Sequence, residues 1–389
     1  MITGSKELIR DINSKLVLET IINYSPISRA SISKQLGLTK ATISAIVQDL
    51  MNQNLVIEIG SDDTSLGRKP ILLSFNKKAG HALCIDLGVE TISALITDLS
   101  AEDCVLKQIK TPANPQSVLQ ALIDLIESIQ EKLPNSSYGL IGITLGIHGV
   151  TSDNTIQFAP YYDLTQLDLA KNLEQHVGIP VYLENEANLS VLGEKTFMFD
   201  YPNIANISVH SGIGIGLIIN NELYTGYNGY AGEFGHSIVE IDGRPCPCGN
   251  HGCLEQYVSE RVLLKQFAER KQRKEIDFDT FSSMYQTGDQ DAIEIVNQFV
   301  KYMAVGINNV LTAYNPNLVV INSSFTIFFP GLIGMIENQL KSRMNKYVRI
   351  VPSALQDSSI LLGGISVCIK KFLDISHINI KSMELFGHS

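Results

Sequence analysis

Three cysteines within eight residues, Cys246-Pro-Cys248-Gly-Asn-His-Gly-Cys253, follow the histidine of Gly232-Glu-Phe-Gly-His236, and no other feature constrains this chain as tightly. Thiols so crowded are costly unless something holds them, and one imidazole with three thiolates is the donor set of tetrahedral zinc. Gly249 and Gly252 let the chain wrap back around an ion. His251 is a competing imidazole, but it lies between the thiolates, where the loop turns it outward. The expected ligands are therefore His236, Cys246, Cys248 and Cys253, in a zinc loop at 236–253. Four protein ligands close the site, so the expected Zn2+ is structural and activates no water. Cys84, Cys104 and Cys368 are isolated in apolar surroundings. Clustering of the other three favours a metal over disulfides and fits a cytoplasmic chain. Charges interrupt the first twenty residues and no apolar run approaches the ~18 residues of a membrane span, so neither a signal peptide nor a membrane partner is expected.

The net charge of -10 argues at first against nucleic acid, whose phosphates need Lys and Arg. The average conceals a division. Residues 1–78 carry ten basic against seven acidic residues, whereas residues 79–389 carry 20 against 33. In the basic head, Leu18, Ile21 and Ile22 mark one helix that ends before Pro26, and Ser28 can cap a second whose Ile32 and Leu36 share a face. Gly37 supplies a tight turn, and Thr39 can cap a third helix with Ile43, Ile46, Val47 and Leu50 turned inward. Two strands, Leu55 to Ile59 and Ile71 to Phe75, flank the basic tip at Arg68 and Lys69. This is a winged helix-turn-helix pattern, in which the third helix reads the major groove. The candidate DNA-contacting residues are Ser28, Arg29, Thr39, Lys40, Thr42, Ser44, Arg68 and Lys69. Lys77-Lys-Ala-Gly80 reads as a linker, which gives a DNA-binding domain at 1–78 and a body at 79–389.

From residue 80 onward apolar strands alternate with longer helical stretches, the pattern of an α/β body. The run Ala82 to Asp98 and the run Ile207 to Ile219 both read strand, glycine turn, strand, so two lobes closing over a ligand are expected. Glu184-Asn185-Glu186-Ala187-Asn188 follows the strand-like Val181-Tyr-Leu183 and places carboxylates and amides at a strand end, where α/β proteins bind ligands. Paired Asn and Glu groups satisfy both the hydrogens and the lone pairs of sugar hydroxyls, although a polar loop capping a helix has the same composition.

Asn185 with Glu186, Glu233 with His236, the three cysteines and Glu255 together resemble the ROK family of sugar kinases and sugar-responsive repressors. The resemblance covers essentially the whole chain and implies an actin-like, ribonuclease H-like body in two lobes. The winged head, with Pro26-Ile-Ser-Arg-Ala30, Gly37-Leu-Thr-Lys-Ala-Thr-Ile-Ser44 and Gly67-Arg-Lys-Pro70, narrows it to the repressor branch. Leu183 to Asn188, Gly193-Glu-Lys195, Phe75 to Gly80 and Tyr138 to Gly142 look most like the xylose-responsive repressors of low-GC Gram-positive bacteria. The resemblance implies repression of xylose-use genes, relieved by D-xylose, with Asn185, Glu186, Glu233, His236 and Glu255 on the sugar. A homodimer is expected because operators are commonly pseudo-palindromic.

Departures from the family's kinases point the same way. Where the kinases carry Asp-x-Gly-Gly-Thr-Lys, this chain reads Asp86-Leu-Gly-Val-Glu-Thr91, and Glu90 would repel a triphosphate. The second glycine loop becomes His210-Ser-Gly-Ile-Gly-Ile-Gly216, and Ile321-Asn-Ser-Ser324 replaces the glycines beside adenosine. Glu186 stands for the kinases' catalytic Asp, which moves the carboxylate by about 1.5 Å, a shift on the scale that costs ~100-fold. His148-Gly149 replaces the usual Pro-Gly. The expectation is a repressor without enzyme activity. Two alternatives stay open on the residues: a sugar kinase with a DNA-binding head, revealed by ADP release, and a DNA-binding protein blind to sugars, revealed by calorimetry against pentoses and hexoses.

Overall fold

The structure, a computed structural model, describes residues 6–61, 70–160, 164–343 and 349–380. In the head, the helix Lys6–Tyr24 buries Val17, Leu18 and Ile21. Ser28 accepts a hydrogen bond from the Ser31 N–H and caps Arg29–Leu36, and Gly37 ends that helix at a φ of 68° that favours glycine. Thr39 caps Lys40–Asn52 in the same way, through the Thr42 N–H, and Ile43, Ile46, Val47 and Leu50 go into the core. The strands Val56–Ser61 and Ile71–Phe75 pair antiparallel, with an irregularity between Glu58 and Ser61. A third strand joins them: Ile27–Ser28 pairs with Leu73 and Leu72. Two residues carry no readable periodicity, so this strand is invisible along the chain. The segment Lys77–Ala79 is a 3-10 turn rather than slack chain. Lys77 O accepts from Leu99 N, Ala79 O from Tyr138 N, and Gln53 O from the Tyr138 hydroxyl at 2.7 Å.

The chain forms two compact units, one from residues 1–148, 154–184 and 364–389 and the other from 149–153 and 185–363. Each contains a five-stranded sheet. The first runs in the order Val181–Asn185, Leu140–Ile147, His81–Leu87, Thr91–Asp98, Val105–Lys110. The second runs Arg349–Pro352, Leu318–Ser323, Ile204–Val209, Ile213–Ile219, Glu222–Leu223. In both, an antiparallel hairpin lends its first strand to a parallel neighbour that arrives after a helical crossover. The internal repeat read from the two glycine-turn hairpins is therefore a duplicated topology. Alternation follows the pleat: Ile213, Ile215 and Leu217 enter the core with Phe267, Phe281, Phe299 and Phe325 of the second unit. Among the described residues, no helix is long and apolar enough to cross a membrane.

Beneath the second sheet lies a buried polar layer. Asn206 donates to Ser190 and Ser208, Asn322 donates to Gln356 O and Ser359, and Ser190 is bonded to Ser359. Beside it the fully buried Glu194 accepts from the Ser353 hydroxyl and the Leu355 N–H, and holds the chain before the helix Ser359–Leu373. Burial raises the Glu194 carboxyl above its ordinary value, against the lowering effect of the Ser353 hydroxyl and the Leu355 and Ala354 N–H groups. A carboxyl that keeps its proton more tightly when folded contributes stability below its unfolded pKa, and that contribution is lost as pH rises through the raised folded value. Glu194→Gln, uncharged and still able to accept from Leu355, is expected to match the wild type near pH 4 and to exceed it by on the order of 1 kcal/mol at pH 7. Urea unfolding across that range checks it; parallel stability curves would refute it.

Candidate functional site

The strand Val181–Asn185 runs directly into the helix Glu186–Phe197, and Asn185 is the hinge residue between them. Its Oδ1 accepts from the N–H groups of Ala187 and Asn188 at 2.8 and 3.1 Å, an N-cap. Its Nδ2 donates to Gly149 O and to Glu186 Oε2, both at 2.8 Å. Asn185 thus aims Glu186. The helix can lie this close to Ile213–Ile219 only because that strand carries glycines at the contact. A Cβ on Gly214 would come within 2.8 Å of the Ala187 Cβ and 3.3 Å of Glu186 Oε1, and one on Gly216 would strike Ala187 O at 2.2 Å. In this chain the glycines of the second loop serve helix packing.

On the other side of the same strand, Gly232 and Gly235 let residues 232–236 press against the backbone of Ile215 and Ile213. This places Glu233 and His236 on one short turn, Phe234–His236. The following loop closes through Cys246 N to Asn250 O, Gly252 N to Arg244 O and Leu254 N to Ser237 O. Gly252, at a φ of 77°, passes so close to Glu240 O that any Cβ would collide. Arg244 pins the loop to the helix Glu255–Val258 by donating to Gln256 O, with its guanidinium 4.6 Å from the Tyr257 ring centre.

The loop brings His236, Cys246, Cys248 and Cys253 together with their ligand atoms all within 4.8 Å of one another, and His251 is exposed outside that group. Zn–S bonds of ~2.3 Å in a tetrahedron require S···S edges of roughly 3.8 Å. Cys248 Sγ lies 3.7 Å from Cys253 Sγ, and Cys246 Sγ lies 3.5 Å from His236 Nδ1, so these two pairs stand at zinc spacing. Desolvation, with the neighbouring thiols adding to it, pushes Cys253 up to about 12. Desolvation raises Cys246 as well, whereas at Cys248 desolvation is overcome by the Asn250 N–H and the neighbouring thiols, which lower it, so holding all three as thiolates takes a cation among them, which fits a divalent metal. Gln256, which local sequence did not single out, donates to Cys246 Sγ at 3.6 Å and reaches Glu255 Oε1 at 3.5 Å.

With Nδ1 turned to the thiols, His236 Nε2 points the other way and lies 3.9 Å from Glu233 Oε2. Burial raises the Glu233 carboxyl, with His236 opposing and Glu255 reinforcing the shift. Glu255 reaches the glycine loop, where a Cβ on Gly212 would sit 3.1 Å from its Oε2. Glu186, Glu233, Glu255 and His236 thus surround one stretch of strand, an acceptor-rich arrangement suited to hydroxyl groups. A cavity of about 360 Å³ opens against Glu233 and His236, walled by Ile215, Leu217, Tyr230 and Tyr314 among others.

The loops that depart from the kinase pattern are engaged by the chain itself. Asp86 Oδ1 is held by His148 Nε2 at 2.9 Å. At Ser324, where the helix Ser324–Phe328 begins, Glu260 already supplies an anion, accepting from the Ser324 N–H at 2.7 Å and from its hydroxyl at 3.1 Å. In the head, Lys40 and Ser44 are exposed and Thr42 is half-buried beside the Thr39 cap. Ser28 is a capping residue, and Arg29 is bonded to Glu58 at 2.9 Å and to Met51. Arg68 and Lys69 lie outside the described residues.

A helix-turn-helix head with a strand pair, on a duplicated α/β body that gathers one histidine and three cysteines in one loop, is the architecture of a DNA-binding regulator. The ROK family model matches residues 82–371, and the chain belongs to the ROK family. The xylose repressor of Bacillus spizizenii is 36% identical over 381 residues, 96% of this chain and 98% of that one. The crystal structure of a ROK family transcriptional regulator, a homolog of the E. coli MLC protein, superposes with a TM-score of 0.79 at 25% identity over 94% of this chain and 97% of that chain. A ROK glucokinase from Streptomyces griseus, solved with glucose and AMPPNP, shares the fold at a TM-score of 0.66 and 24% identity over 74% of this chain and 99% of that chain.

Proposed function

We propose that this protein is a transcriptional repressor of xylose-utilisation genes that leaves its operator when D-xylose binds. The observation that carries the reading is the co-occurrence, on one chain similar over its length to a xylose repressor, of a capped third helix in the head and of carboxylates at Glu186, Glu233 and Glu255 set against one strand of the body. Residues 1–78 form the DNA-binding domain and 79–389 the sugar-binding body. Lys40, Thr42 and Ser44 face the bases, while Arg68 and Lys69 meet the phosphates or the minor groove. Glu186, Glu233, His236 and Glu255 bind the sugar hydroxyls, and Asn185 acts chiefly by aiming Glu186. His236, Cys246, Cys248 and Cys253 hold a structural zinc, whose role is to fix the loop and the aim of His236. The protein works as a homodimer on a pseudo-palindromic site.

Phosphoryl transfer is not part of the reading. Support comes from Asp86, which is committed to His148, from Gly214 and Gly216, which are committed to helix packing, and from Glu260, whose charge at Ser324 would repel a phosphate. The test is an operator-binding titration with a panel of pentoses and hexoses, alongside an ADP-release assay. D-xylose is expected to weaken binding by about 5- to 150-fold, the range of typical coupling energies, with no sugar-dependent ADP. Release by a hexose alone would reassign the effector, and ADP release would restore the kinase reading.

A further inference from the structure

The first helix, Lys6–Tyr24, presents a second apolar face. Ile9, Ile12 and Leu16 recur at the three- and four-residue steps of a helix-pairing seam and are 54%, 48% and 41% exposed, with Leu8 beside them at 45%. The helix's other side is used: Val17, Leu18 and Ile21 enter the core of the head, and Arg10 is bonded to Asp49 on the recognition helix. Farther along, Lys15 pairs with Asp374, Glu19 accepts from the Ser376 and His377 N–H groups, and Asn23 accepts from Asn379 N. The C-terminal segment therefore runs alongside the helix from residue 15 toward residue 23, away from Ile9 and Ile12.

We propose that this stripe is where the first helices of two copies of this chain pair, antiparallel about a two-fold axis. The border of the stripe is self-complementary: Asp11 and Lys15, one turn apart and paired within the helix, where Lys15 also holds Asp374, come opposite Lys15 and Asp11 of an antiparallel partner. Such exposed pairs set register more than strength. Four aliphatic side chains at ~60 to 120 Å² each bury on the order of 300 Å² per copy. The total of about 600 Å² is half of what a stable interface needs, so the heads pair only once the bodies or the DNA hold them close. Packed helices lie ~8 to 10 Å apart, and each recognition helix stands a similar step farther out on the side of Arg10. The two recognition helices would then be roughly 25 to 30 Å apart, near the ~34 Å of one DNA turn.

The inference rests on the DNA-binding reading, and two measurements keep them apart. Operator DNA is first selected in vitro with the wild-type protein; failure to select any sequence would count against the repressor, not the seam. With the selected palindrome and its half-site as probes, the variant Ile9→Gln/Ile12→Gln/Leu16→Gln is expected to lose at least 10-fold in affinity for the palindrome and none for the half-site, with an unchanged melting temperature. Ile12→Cys is expected to form a disulfide-linked dimer under mild oxidation, more readily on the palindrome than on the half-site, and to form it without DNA at high protein concentration. Equal loss on both probes would place the stripe on DNA or on another part of its own chain and overturn the proposal. So would unchanged palindrome affinity without a cross-link.

Discussion

Cys248→Ser is expected to lose its metal and much of its stability together. A serine hydroxyl does not ionise at neutral pH, so the remaining two thiolates and His236 would hold a divalent ion with one coordination position empty. Because the binding energy of a structural metal is folding energy, the loss should reach several kcal/mol. For a domain of this size ~1 kcal/mol moves the melting midpoint by ~2 to 4 °C, so a fall of roughly 10 °C is expected. Cys248 is exposed, which separates the metal effect from a packing defect. Atomic-absorption zinc content and calorimetry on the same sample check it, with a chelator reproducing the fall in the wild type and adding nothing in the variant. Full zinc content in Cys248→Ser, with loss in His251→Ala instead, would show that the other imidazole is the ligand.

Glu233→Gln should leave a repressor that binds its operator and no longer hears the sugar. The substitution keeps the shape of a side chain that is 43% exposed and removes the charge of an acceptor beside His236 Nε2. A hydrogen bond to a charged group contributes ~1.5 to 3 kcal/mol, so sugar affinity should fall by about 10- to 150-fold. A ligand shifts an equilibrium only by its differential affinity for the two states, so induction should disappear at sugar concentrations that release the wild type. Zinc content should not change, since Nδ1 rather than Nε2 faces the thiols. Calorimetry for the sugar and operator titration for release are the two readouts. Normal induction of the variant would remove Glu233 from the sugar site.

How much of this was legible along the chain depended on the reach of each interaction. The caps at Ser28 and Thr39 bond the N–H three residues on, Gly37 takes the left-handed turn within the same few residues, and the three clustered cysteines share one short loop. Such features are local, so residue type and spacing specify them. The strand–glycine–strand hairpins were legible for the same reason, and their repetition announced the duplicated sheets. Asn185 was ambiguous because a polar cap and a sugar ligand have the same composition, and only the hydrogen bonds of its Oδ1 to the helix start and of its Nδ2 to Gly149 O and Glu186 reveal it as the residue that aims Glu186.

What needed the folded chain are contacts between residues far apart in sequence. His148 on Asp86, Glu260 on Ser324, Glu194 on Ser353 and Ile27 against Leu73 each join segments 46 or more residues apart, and none leaves a periodic trace. The glycines at 214 and 216 make the point most sharply. Read along the chain they are the remnant of a phosphate loop; in the fold they are the places where Ala187 and Val191 touch the strand. Residue type and local spacing determine which groups are available and which turns they can make. Whether a glycine admits a phosphate or a helix is decided by what packs against it, and that is a property of tertiary structure alone.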